Sequence, residues 1–436
     1  MAFQQALSGL NGASKAIDAT SHNIANSSTV GFKSSVAHFG DVYAASLAGA
    51  GASQIGIGVN LSAIQQQFTQ GNITSTNNPL DISINGSGFF RMDQNGATTF
   101  TRNGQFHLDK NGVIINDQGM ALTGYAALNG VIVPSTPSPL RISASDLAPE
   151  ATGYNTSSSF QGIKANVNLD SRSAVPTSAW VNGGAAGAVG AYTPDPLTYN
   201  FSTALSIYDS LGNDHTMTFY FRKSATAGQW NVYANVDGTT NQNVNGTTGP
   251  IGTLTFGTDG QVTAGSPINV SVSIANVQTS LGQPNGAQAV QTFPIDFTGT
   301  TQFGSPFGTN RLEQDGYAAG HLVGLSAGSD GVILGRYSNG QTFAQGQIVL
   351  ANFTNPNGLQ SLGNNQWVET SVSGPALVGA PNTSNLGVLT SSSVEESNVD
   401  LTAELVNLIS QQRNYQANAQ SIKTQDQIMQ TLVNLR

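Results

Sequence analysis

Gly324-Leu-Ser326-Ala-Gly328 carries the G-x-S-x-G spacing of a hydrolase nucleophile elbow. That motif needs a strand-turn-helix setting and a catalytic histidine later in the chain. Here an alternating β pattern, Val332-Ile-Leu334, follows, and no histidine lies beyond His321. The five histidines (His22, His38, His107, His215, His321) share no ligand spacing with one another or with carboxylates, and there is no cysteine for a thiolate site or a disulfide. Asp400 with Glu404, and Asp209 with Asp214, are the nearest approach to paired carboxylates. The first pair suits a helix start and the second a turn. Neither G-x-x-x-x-G-K-[ST] nor a dinucleotide-type G-x-G-x-x-G occurs. These residues predict no catalysis, no cofactor and no metal.

The informative pattern is helical and lies at the two ends. From Leu401, steps of four and three give Leu401, Leu405, Leu408, Gln412, Tyr415, Ala419, Ile422, Asp426, Met429 and Val433, of which eight are apolar. This is the seam of a coiled-coil-like helix. Ser397, with Asp400 three residues on, signals its start. The other face is rich in Gln and Asn, including Gln411, Asn414, Asn418 and Gln425. Phe3, Leu7, Leu10, Ser14, Ile17, Ser21 and Ile24 repeat the same steps, with Gly9, Gly12, Ala13 and Ala16 slimming one side. That helix should stop near Asn26. The two terminal helices are expected to pair.

Composition narrows the setting. Charged residues make up 9% of 436 and the net charge is −9, which argues against nucleic acid and anionic membranes as partners. No run reaches the roughly 18 apolar residues of a membrane span. The first 26 residues carry no positive side chain before Lys15, unlike a cleaved secretory leader. A weakly charged, amide-rich surface suits self-association.

Between the helices the chain reads as β. Residues 27–70 are expected to be a connector with one extended segment through Ile55, Ile57, Val59 and Leu61, and a flexible point at Gly49-Ala-Gly51. Alternation at Leu80, Ile82 and Ile84 opens a compact antiparallel unit with Asn-Gly turns at Asn85, Asn95, Asn103 and Asn111. A middle domain follows a Ser/Ala/Gly/Pro-rich stretch, with strands at 204–208, 216–221, 230–236, 254–256 and 268–274. The first unit's style then returns, with a strong strand at 347–353. The fold class is thus mainly β with long α-helical termini and nested domains. Its expected parts are a terminal helical domain (1–26 and 397–436), a connector (27–70 and 382–396), an inner β domain (71–142 and 305–381) and an outer β domain (143–304).

Three segments resemble one family. Ser21-His-Asn-Ile-Ala-Asn-Ser-Ser-Thr-Val-Gly-Phe-Lys33 is similar to the N-terminal signature of bacterial flagellar rod and hook proteins. Pro79-Leu-Asp-Ile-Ser-Ile-Asn-Gly-Ser-Gly-Phe-Phe90 looks like their inner β domain, and residues 396–420 like their C-terminal helix. Tyr208-Asp-Ser-Leu-Gly-Asn213, residues 347–353 and the large middle domain are similar to hook members rather than rod members. The resemblance implies a self-assembling, curved, flexible tube outside the cell that passes motor torque to the filament. It implies as partners other copies, the distal rod protein, the hook cap, the hook-filament junction proteins and the flagellar type III export apparatus. The seam residues Phe3, Leu7, Leu10, Ile17, Ile24, Leu401, Leu405, Leu408, Tyr415, Ile422 and Met429 are expected to drive assembly, with Asn23, Asn26, Gly31, Phe32 and Lys33 as motif residues. A distal rod subunit and a secreted β-rich adhesin are the alternatives.

Overall fold

A computed structural model describes residues 2–42, 56, 58–128, 130–143, 145–156, 158–182, 186–190 and 192–434. The chain divides into two compact units. The first comprises Met1–Ser143, Gly324–Gly335 and Phe343–Arg436, and the second comprises Ala144–Val323 and Arg336–Thr342. The α-helices are α1 (Ala2–Ala25), α2 (Ile274–Leu281) and α3 (Leu401–Asn434).

The first unit is stitched from both ends of the chain by antiparallel pairing. Ile73–Ser75 pairs with Ser393–Glu395, Ile82–Asn85 with Val388–Ser391, and Phe89–Gln94 with Leu350–Asn352. The alternation at Ile82 and Ile84 puts both side chains at zero exposure. Beside them Phe89, Phe100, Phe353 and Trp367 form a core cluster, with Phe100 and Phe353 edge-to-face at 4.8 Å.

Asn95-Gly96 is a hairpin turn, with φ of 53° and 90°. Asn103-Gly104 was expected to be another and is not. A Cβ on Gly104 would lie 1.7 Å from the Ile82 carbonyl oxygen, so glycine stands there to let two backbones touch.

The expected connector contains an antiparallel strand pair, Ser35–Val42 against Gly58–Gln66, with a register slip at His38/Phe39. Only its second strand, with Val59 and Leu61, was legible as alternation. SVAHFGDV mixes polar and apolar residues on both faces because it lies half-exposed. Gly49, Gly51, Ile55 and Ile57 lie outside the described residues.

The second unit packs two sheets on one core. One sheet orders Ile268–Val272, Gln291–Asp296, Ile163–Asn168 and Gly308–Gln314. The other runs Phe201–Tyr208, Asp214–Lys223, Gln229–Val236, Gly252–Phe256 and Val262–Ala264. Phe219, Phe221, Trp230, Phe293 and Phe297 fill the space between them.

Three expectations change here. The Ser/Gly-rich lead-in hides a core strand, Ile163–Asn168, with Ile163, Ala165 and Val167 fully buried. The boundary is not at residue 304, because Gly308–Gln314 pairs with that strand and carries the second unit on to Val323. Ile274 is not strand: Ser273 accepts a hydrogen bond from Asn276 N and caps α2.

Candidate assembly site at the chain termini

α1 and α3 run antiparallel. A Cβ on Gly9 would lie 2.9 Å from Asn418 Nδ2, and Asn23 Nδ2 donates to Glu404 Oε1 at 3.0 Å. The line α1 buries is Ala6, Ala13, Ala16, Ala19, Thr20 and Asn23. Small side chains there let α3 and that strand pair come close, and Gly12 faces Val59 and Phe39. α3 answers with Glu404, Leu408, Gln411, Asn418, Ile422 and Gln425, each half-buried, in steps of four and three broken once where Tyr415 is exposed.

The contact within the chain thus sets the Gly/Ala line of α1, one position away from its apolar seam, against Glu, Asn and Gln of α3 together with the seam residues Leu408 and Ile422. Leu10, Ile17, Ile24, Leu408 and Ile422 are half-buried, whereas Phe3, Leu7, Leu401, Leu405, Tyr415 and Met429 are exposed. None of the described side chains of the 34-residue α3 is buried. The helix starts one turn later than the Ser397 signal implied. Asp400 is its cap, accepting from Thr402 N at 2.9 Å and Ala403 N at 3.1 Å, because its carboxylate reaches two free N–H groups at once.

At the foot of both helices the motif residues have individual tasks. Asn23 holds the backbone of Ser35 through both amide atoms, at 2.8 and 2.9 Å. Asn26 Nδ2 donates to His22 O and its Oδ1 accepts from Thr29, closing the turn after α1. Gly31 has φ 71°, and a Cβ there would sit 2.7 Å from Asn103 N, so both conformation and space require glycine. Phe32 is buried, with its ring 5.4 Å from that of His22.

Lys33 is fully buried and donates to Glu395 Oε1 and to Thr69 O, each at 2.7 Å. Arg102 Nη1 donates to Glu395 Oε2 at 3.1 Å, Arg102 Nη2 to Gly86 O at 2.8 Å, and Gly71 N to Glu395 Oε1 at 2.9 Å. Burial pulls the Lys33 ammonium and the Arg102 guanidinium below their ordinary values, and Glu395 works against that pull. Two cations thus share one carboxylate in a dry site. Asn398 completes the joint: its Oδ1 accepts from Ser34 N at 2.8 Å and its Nδ2 donates to Gln67 O at 2.8 Å.

Arg102, Glu395 and Asn398 were not singled out from the sequence. Glu395 beside Glu396 looks like a solvated acidic pair, and nothing local ties it to Lys33.

Family descriptions match in chain order. "Flagella basal body rod protein" covers 3–33, "Flagellar hook protein FlgE/F/G D1 domain" 83–147, "Flagellar basal body protein FlaE D2 domain" 168–317, and "Flagellar basal body rod FlgEFG protein C-terminal" 390–435. The chain is 40% identical over 443 residues to the flagellar hook protein FlgE of Salmonella typhimurium, covering all of both chains. It is 41% identical over 447 residues to that of Escherichia coli, again covering all of both. The chain belongs to the flagellar hook protein family. The relation extends to the FlgE of Borreliella burgdorferi, at 30% over 451 residues, covering 99% of this chain and 98% of that one. The joint described above spans three of the family matches. Lys33 ends the first, Arg102 lies in the second, and Glu395 lies near the start of the last. Membership in the hook family therefore coincides with the residues that gather the termini.

Proposed function

We propose that the chain is the repeating subunit of the flagellar hook, polymerising into a curved, flexible tube that passes torque from the motor to the filament. The observation that carries this reading is α3, 34 residues long, about 51 Å at 1.5 Å per residue, without one buried described side chain. Isolated helices are marginal in water. Val406, Ile409, Ile428, Met429 and Val433 stand exposed along it, as Phe3 and Leu7 do on α1. Copies of the same surface, stacked side by side, cover these side chains. The seam residues Phe3, Leu7, Leu10, Ile17, Ile24, Leu401, Leu405, Leu408, Tyr415, Ile422 and Met429 are the assembly contacts in this reading.

The terminal helices line the inner wall and the β-rich parts lie outward. The 9% charge leaves the outer contacts polar and weak, able to slide as the tube bends. The neighbours are other copies, the distal rod protein, the hook cap during growth and the hook-filament junction proteins. The flagellar type III apparatus exports the chain unfolded. Electron microscopy of polymers grown from the pure protein tests the proposal. Curved tubes are expected. Straight rods would reassign the chain to the distal rod, and intact protein that forms no polymer would overturn the reading.

A further inference from the structure

The motif Tyr208-Asp-Ser-Leu-Gly-Asn213 leads to His215 in the second unit, and the helix-based assembly reading leaves both unused. His215 sits on the strand Asp214–Lys223 with its side chain 7% exposed, between two carboxylates. Nδ1 lies 2.6 Å from Asp237 Oδ2, and Nε2 lies 3.5 Å from Asp209 Oδ2. Asp209 is itself fully buried, its Oδ1 accepting from Leu211 N and Asn213 N, each at 2.9 Å. Its Oδ2 accepts from Asn213 Nδ2 at 3.0 Å and Asn285 Nδ2 at 3.1 Å. Asp237 Oδ1 accepts from Thr216 N at 2.6 Å. The imidazole thus lies where the Asp209 turn, the end of the strand Gln229–Val236 and the loop after α2 meet.

We infer that His215 is built into the second unit as a protonated clamp, whose loss of a proton loosens that junction. Nε2 is buried without a hydrogen bond, 3.5 Å from the Asp209 carboxylate, and a neutral ring leaves one lone pair facing an anion. With the proton on Nδ1, the bare Nε2 lone pair faces the Asp209 carboxylate. With it on Nε2, a lone pair faces Asp237 Oδ2 at 2.6 Å. Only the imidazolium offers N–H to both. Burial is the largest single influence and opposes the charged ring, but Asp237 and Asp209, the charged groups acting on it, together outweigh burial. The balance raises His215 above the ordinary imidazole value of about 6.5. A folded-state value above the unfolded one means that the stabilisation is complete below about pH 6.5 and is lost as pH rises through the folded value. The second unit therefore weakens toward alkaline pH.

The test is a proton NMR titration of the histidine ring signals in the full-length monomer, with His215 assigned by its absence in His215→Gln. The expected midpoint is above 6.5, falling by about one pH unit or more in Asp237→Asn, which keeps a hydrogen-bonding group and removes the charge. Urea unfolding followed through the second unit's Trp230 should shift to lower midpoints between pH 6 and pH 9, and this shift should vanish in His215→Gln. A midpoint at or below 6.5, or one unmoved by Asp237→Asn, would overturn the inference.

Discussion

Lys33 Nζ and Glu395 Oε1 lie 2.7 Å apart across 362 positions of sequence, and neither side chain has any exposure. A buried pair is a weak source of net stability, but removing one member leaves an uncompensated charge, at about 3–5 kcal/mol. The cluster here has two cations and one anion, so the partners are not equivalent. Glu395→Gln strands both Lys33 and Arg102 and should cost about 3–5 kcal/mol. Lys33→Met leaves a balanced Arg102–Glu395 pair and should cost clearly less. Urea unfolding followed through Trp367 measures both, and equal losses would refute the shared-carboxylate account.

Gly31 meets two separate demands, a left-handed backbone and a Cβ site 2.7 Å from Asn103 N. Conformation alone costs an alanine about 1–2 kcal/mol, and the close approach adds to it. Gly31→Ala should therefore destabilise the first unit more than Gly96→Ala, where φ is 90° but nothing lies within 4 Å of the added Cβ. Comparing the two variants by thermal unfolding separates space from backbone conformation.

The absence of any fully buried described side chain along α3 sets an expectation for the free monomer. Ordering each residue costs about 1–2 kcal/mol of backbone entropy, and a helix whose described side chains are at most half-buried has little to offset it. Far-UV circular dichroism of the monomer should show less helix than the 24 and 34 residues of α1 and α3 require, with the remainder appearing on polymerisation. A monomer with full helical signal would contradict this.

Exposed and half-buried seam residues should behave differently. Leu405→Ala removes a side chain that is exposed in the single chain, so the monomer should change by no more than about 0.5 kcal/mol. If neighbouring copies bury that leucine, losing about 1.5–3 kcal/mol of burial raises the critical concentration for polymerisation roughly tenfold or more. Sedimentation of polymer against total protein gives the number. Ala16→Leu, by contrast, intrudes on the line α1 buries and should disturb the monomer itself.

Much of the fold was legible wherever packing leaves a local period. Alternation located Ile82 and Ile84, the strands on either side of the Asp209 turn and the strand bearing Trp230. The four-three steps located both terminal helices. The strand Gly308–Gln314 was placed in the wrong domain because GTNRLEQ is largely exposed, and its partner Ile163–Asn168 lies some 145 positions earlier. On α1 the contact lies one position from the apolar seam because apolar spacing predicts where large side chains point. Within the chain, the close approach is made instead by Gly9, Ala13 and Ala16. Lys33 was visible as a motif residue, but Glu395, 362 positions away, was not. A single sequence carries no trace of a pairing at that range.

The pairing of Ile73–Ser75 with Ser393–Glu395 has a consequence in time as well as in space. A polypeptide emerges from the ribosome N-terminus first, so these strands lack their partners until nine-tenths of the chain has been made. The buried carboxylate that neutralises Lys33 arrives equally late. The first unit cannot close on a nascent chain. Its last strand pairing forms only once the C-terminal strands are available.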